Sequence, residues 1–257
     1  MLPVIPPSIV IVSLAANLVI AVAVWRILAA ATARSGLPPE RQRSMRIATG
    51  VALGGWLGAA LLLAPAPASL LTRDRFYLTP VIPLFAVASL TLALLAVRFS
   101  PSFRRVLDAA SLPAMIGVQL YRTIGLLFVI LLQLGQLPAH FAQPAGWGDI
   151  AIGVTAPLVA LALARGFAGS VPLAFAWNVL GLADLVVAVG LGTGYLAPLL
   201  MPSLGARVPP VAAMGVFPLI VVPIFAVPVS VLLHLLSLRK LRREAHLGGR
   251  LVPRPAA

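Results

Sequence analysis

Residues 119–149, QLYRTIGLLFVILLQLGQLPAHFAQPAGWGD, decide how the chain is read. The stretch begins inside an apolar segment long enough to cross a membrane and places Arg122 near the middle of that segment. It leaves the apolar phase through Gln133, Gln136, His140 and Gln143 and re-enters it at Asp149. An unpaired guanidinium at the bilayer centre is unfavourable by at least ~2.5–3.5 kcal/mol. A partner for Arg122 must therefore come from elsewhere in the chain.

Composition sets the class. Of 257 residues, 61% are hydrophobic and 10% are charged, with a mean hydropathy of +1.06. A soluble domain of this size needs more polar surface, so the chain is expected to span a membrane. The 19 Lys and Arg against 6 Asp and Glu give a net charge of +13. In a soluble protein this excess suggests nucleic acid; here the basic residues gather at segment ends, as membrane orientation requires, and no nucleic-acid partner is expected. There is no Cys, which excludes disulfides, thiolate metal sites and cysteine catalysis.

Seven apolar runs follow one another: 8–33, 47–71, 77–97, 112–136, 149–164, 171–195 and 215–238. Runs of ~17–25 residues fit membrane helices, whereas barrel strands are shorter and alternate. The expected fold is therefore all-α: one seven-helix transmembrane domain over 1–238, with a basic cytoplasmic tail at 239–257. Ala31-Thr32-Ala33 resembles a signal-peptidase site. MLPVIPP lacks a basic n-region, however, and the run is long, so the first helix is expected to be kept. Gly50, Gly54 and Gly58, four residues apart, are expected to let another backbone approach. Pro218, Pro223 and Pro228 predict kinks or local unwinding in the last helix, with freed carbonyls.

Charge sets the orientation. Arg34, Arg41, Arg43 and Arg46, the cluster Arg98, Arg104 and Arg105, then Arg165 and the tail from Arg239 to Arg254 all fall on one side. The other side keeps Arg73, Arg75 and Arg207. The positive-inside rule then puts the N-terminus outside and the C-terminus in the cytoplasm.

With that orientation, Arg122 lies roughly 15 Å along the fourth helix and Asp184 roughly 20 Å along the sixth, both from the cytoplasmic end. Asp184 is the expected counter-ion, because Asp149 reads as an outer-surface residue capping the fifth helix. Gln119, Tyr121 and Asn178 complete a candidate solute- or ion-binding strip around Arg122 and Asp184. PAHFAQPAGWGD reads as an interfacial loop with Trp147 at headgroup level. Its sharper alternative is a re-entrant loop or outer vestibule containing Gln133, His140 and Asp149.

Other chemistries find no support. HExxH, GxSxG, P-loop and dinucleotide fingerprints are absent. His234 is expected near the cytoplasmic end of the seventh helix and His140 outside, too far apart for one haem. The only lysine, Lys240, lies beyond the last span, where it cannot anchor a retinal Schiff base. No cofactor or metal is expected.

The segments YRTIG, LPAHFAQPAGWGD, WNVLGLADL and PIFAVPVSVLLHLLSL together resemble a group of uncharacterised bacterial polytopic inner-membrane proteins, over about the C-terminal 60% of the chain. The resemblance implies a multi-pass protein of the bacterial inner membrane and carries no activity. Three-plus-one-plus-three sugar carriers share the helix count, but neither their internal repeat nor their Pro-Gln motif is found.

Two functions from different classes are compatible with these features. One is a small transporter or channel for a solute or protons, built on the buried polar strip. The other is a non-catalytic subunit or scaffold, in which the same residues hold helices together and the basic tail meets anionic lipid, a protein partner or a second copy. An enzyme ranks behind both, since no catalytic constellation can be assembled.

Overall fold

The computed structural model describes residues 5–63, 81–204 and 211–251; Arg73, Asp74, Arg75, Arg207 and Arg254 lie outside them. Among the described residues there is no strand, and seven helices are long and apolar enough to cross a membrane. The chain is a multi-pass helical membrane protein.

Helix α1 (Pro7–Ala33) opens with proline at a position where its missing N–H costs nothing. Helix α2 (Pro39–Leu63) begins eight residues before the apolar run, so Arg41, Arg43 and Arg46 lie on a helical turn rather than in a loop. After α3 (Val81–Phe99) comes a short amphipathic helix, α4 (Pro101–Ala109), whose first turn is capped by Ser100 accepting from the Phe103 N–H at 3.2 Å.

The fourth span is broken. It consists of α5 (Leu112–Gly117), a 3₁₀ stretch (Val118–Gly125) and α6 (Leu126–Gln133). Gly135, at φ 68°, ends it earlier than Gln136: the Gln136 N–H reaches back to the Leu131 carbonyl at 2.8 Å, a Schellman closure. Helix α7 (Ala139–Ala164) starts ten residues before the expected boundary, and α8 (Ser170–Gly192) follows. PAHFAQPAGWGD is therefore neither an interfacial nor a re-entrant loop: from Ala139 onward it is the first part of a membrane helix.

A one-turn helix, α9 (Ala197–Leu200), and short 3₁₀ turns lead to a π-helical turn (Val222–Ala226), which runs directly into α10 (Val227–Leu251). The wide turn is where the three prolines predicted distortion. Pro228 lacks the N–H that would bond the Ile224 carbonyl, and the Trp56 indole supplies a donor instead at 2.9 Å. Helix α10 continues without a break through the start of the basic tail.

Helix α7 packs along the whole broken span and along α8, while the last span, Val222–Arg243, is the most buried of the seven. Two apolar clusters form the interior. One joins Ile20, Val24, Leu112, Ile116, Ile152, Phe225 and Leu233. The other, at the opposite end, joins Ile9, Phe128, Leu131, Phe141, Leu191 and Leu219.

The basic residues of different elements meet at the first of these ends. Arg41 reaches the Ser102 hydroxyl at 3.5 Å, and Lys240 donates to the Asp108 carbonyl at 2.6 Å. Arg239 and Arg243 both pair with the Asp108 carboxylate. The start of α1, marked by Ile9, belongs to the other end.

Helix α2 does not use its glycines as expected. Among the described residues, a Cβ at Gly54 or Gly58 would meet nothing within 4 Å, and at Gly50 only the Trp25 ring, at 3.0 Å. The close approaches occur on α7 instead. A Cβ at Gly153 would fall 2.5 Å from the Thr123 nitrogen, and one at Gly125 would fall 2.8 Å from the Gly146 carbonyl. Glycines at 146 and 153, two turns apart on one face of α7, thus let the backbone of the broken span lie directly against it.

Candidate functional site

Arg122 sits where α7, α8, α10 and the 3₁₀ stretch converge, between the two apolar clusters, and is only 2% exposed. Its Nε donates to Asp149 Oδ1 at 2.7 Å, and its Nη2 to Asp184 Oδ2 in a short charge-assisted bond. Its Nη1 reaches the Gly181 carbonyl at 3.3 Å and His234 Nε2 at 3.0 Å. A guanidinium has donors and no acceptor, so Nε2 of His234 must accept. The ring proton therefore lies on Nδ1, which donates to Asn178 Oδ1 at 2.9 Å. Asn178 Nδ2 in turn donates to the Ala174 carbonyl at 2.7 Å, which closes the chain of bonds on backbone.

Small residues make room for this cluster. A Cβ at Gly148 would run into the Asp184 carboxylate, and one at Gly181 into the His234 ring. Trp177 covers the other side of His234, with ring centroids 5.2 Å apart, and its indole N–H is held by Thr155 Oγ1 at 2.9 Å. One turn along, Ser230 spends its hydroxyl proton on the Ala226 carbonyl at 2.9 Å. Tyr121 is therefore the donor in the 2.6 Å contact between its hydroxyl and Ser230 Oγ.

The expected Arg122–Asp184 contact is present, with Asn178 linked to it through His234. Asp149 is not at the outer surface: it lies ten residues into α7, about 15 Å along the axis, and shares the guanidinium. His234, expected near a helix end, is fully buried in the cluster. Gln119 is fully buried, but neither amide atom has a partner among the described residues. Gln133 is exposed and His140 half-buried at the far end of the span, and neither joins Asp149. Trp147 points outward, two turns into α7 and 57% exposed.

The Arg122–Asp149–His234 part of the cluster was hidden by local signals. Pro144, Gly146 and Gly148 look like loop residues, yet Gly146 and Gly148 serve close packing, which has no one-dimensional signature.

Asp149 also faces two cavities. A small one of about 40 Å³ is lined by Ser13, Asn17, Tyr121, Arg122, Asp149 and Ser230. The buried Asn17 Oδ1 in its wall has no partner among the described residues. The second, about 140 Å³ and largely apolar, lies toward the far end against Phe128, Phe141, Asp149, Val211 and Met214.

Charge decides what the cluster can do. With both carboxylates ionised and His234 neutral, one arginine faces two aspartates, which leaves one surplus negative charge. A proton on either carboxylate, or a small cation beside them, balances it.

Fold and site define a polytopic helical membrane protein with a buried three-charge cluster at mid-span. The chain belongs to the family described as Domain of unknown function (DUF8737), which matches residues 79–242 and so contains every member of the cluster. No curated protein and no solved structure matches the chain.

Proposed function

We propose that the protein is a small transporter or channel that carries protons, or a solute coupled to protons, through the Arg122–Asp149–Asp184 cluster. The observation that carries this reading is that one guanidinium is shared by two carboxylates, one of which lines two neighbouring cavities. A surplus negative charge in low dielectric has to be matched by something mobile, and a proton is the smallest candidate. The two cavities meeting at Asp149 supply separate approaches to it, and the broken fourth span and the π turn are the kind of irregular backbone that lines membrane pathways. The setting proposed is a bacterial inner membrane, with the N-terminus outside and the basic end in the cytoplasm against anionic lipid.

The test is purified protein in liposomes with an internal pH-sensitive dye and an imposed potassium diffusion potential. Proton flux above protein-free liposomes is expected, and Asp149→Asn should abolish it while leaving the protein folded, because that change leaves a balanced one-to-one pair. Absence of flux from folded protein, across a panel of candidate co-solutes, overturns transport.

A second reading, a scaffold or subunit, is favoured by a separate fact: every nitrogen of the guanidinium already has an acceptor. On that reading the protein co-purifies with a partner or a second copy, and Asp149→Asn has no effect on flux.

A further inference from the structure

A second cavity, separate from the charge cluster, lies between α3 and the rest of the bundle. Its volume is about 480 Å³, within the range of pockets that hold small ligands. Its walls are apolar, from Val24 and Leu28 on α1, Trp56 on α2, Phe85 and Ala93 on α3 and Leu233 on α10. Two hydroxyls reach the wall, and each spends its proton within its own helix. Ser89 donates to the Phe85 carbonyl at 2.8 Å, and Thr49 donates to the Met45 carbonyl at 2.8 Å. Such a space holds no free donor and only two acceptor oxygens, too few for a hydrophilic solute.

Its length and position point to one occupant. Along α3 the lining runs from Phe85 to Val97, twelve residues or about 18 Å. Half the hydrocarbon thickness of a bilayer is about 15 Å. Leu92, in its wall, is 68% exposed and in reach of surrounding lipid.

At one end its lining reaches the turn between α3 and α4, which carries two arginines, with the Arg98 guanidinium over the exposed Phe99 ring at 5.4 Å. Val97 is followed by Arg98, and Phe103, also in the wall, is followed by Arg104, whose Nη1 donates to the Arg98 carbonyl where α3 meets α4. Arg46 precedes Thr49 by one turn of α2 and is exposed. An apolar slot one leaflet deep beneath a cationic rim matches a lipid with a long acyl chain and an anionic headgroup.

We propose that this cavity is a binding site for an anionic phospholipid drawn from the surrounding leaflet, with one acyl chain between α3 and α10 and its phosphate at Arg98 and Arg104. The site takes phosphatidylglycerol in preference to phosphatidylcholine.

Trp56 lies in the wall and reports occupancy. With Trp25, Trp147 and Trp177 changed to Phe, its fluorescence is followed while phospholipid with bromine on the acyl chains is added in mixed micelles. Brominated phosphatidylglycerol should quench Trp56 at lower concentration than brominated phosphatidylcholine. Arg98→Gln with Arg104→Gln should weaken the preference roughly 25-fold, about fivefold for each arginine near an anionic headgroup. Ala93→Phe, which fills the slot, should abolish quenching by both lipids.

Equal quenching by the two lipids, or quenching that survives Ala93→Phe, overturns the proposal. If the three-tryptophan variant does not fold, the wild-type chain and its Arg98→Gln/Arg104→Gln form are compared by thermal unfolding with the two unbrominated lipids. A phosphatidylglycerol-specific stabilisation lost in the variant supports the site, and identical responses overturn it.

Discussion

Arg122 is held by three side chains from three helices, so its removal and the removal of its partners are not equivalent. Arg122→Leu leaves Asp149 and Asp184 facing each other without a cation and should lower stability in detergent by about 3–5 kcal/mol, the usual cost of breaking a buried pair. Asp149→Asn leaves Arg122 paired with Asp184 and should cost much less. Arg122→Leu with Asp184→Leu should recover only part of the loss, because Asp149 is left unpaired. Adding Asp149→Asn to that double variant should recover most of it. Thermal unfolding of the four proteins measures the series; equal losses for Arg122→Leu and Asp149→Asn would contradict the shared-guanidinium geometry.

At the scale of elements, glycine placement separates packing from mere composition. In an open helical position alanine is more stable than glycine by about 1 kcal/mol. Gly54→Ala, with nothing within 4 Å among the described residues, should therefore be neutral or stabilising. Gly148→Ala and Gly181→Ala drive a methyl into Asp184 and His234 and should be destabilising despite the better helix propensity. Melting temperatures that fall for all three alike would place α2 against a neighbour after all.

The π turn makes a second prediction. Trp56→Phe strips the Ile224 carbonyl of its donor and should cost about 1–3 kcal/mol, the range for a buried polar group left unpaired. Pro228→Ala restores the backbone N–H that proline removed, so the same Trp56 change should cost less in that background. A double-mutant cycle reads the difference directly.

For the whole molecule, the joined basic ends of α2, α4 and α10 bear on orientation. Residues far apart in sequence, Arg41, Asp108, Arg239 and Arg243, are brought to one end by contact rather than by assumption. Reporters fused after Arg43, Arg104 and Arg250 should therefore read alike, as cytoplasmic, and reporters after His140 and Gly194 as external. Mixed readings within either set would break the bundle as described, whereas a uniform reversal would keep the bundle and overturn only the assignment of sides.

The sequence by itself determined the class, the number of spans and the one pairing that depth alone could choose, Arg122 with Asp184. Hydrophobicity over twenty residues is a property of the chain, and a charge in hydrocarbon demands a partner of opposite sign, so both conclusions follow before folding. Only the tertiary structure decided the rest. Asp149 and His234 reach the guanidinium because glycines at 125, 146, 148, 153 and 181 let backbones and charged groups approach within van der Waals distance. In one dimension a glycine that ends a helix and a glycine that admits a neighbour are the same letter. The neighbour that distinguishes them exists only once α7 lies against the broken fourth span.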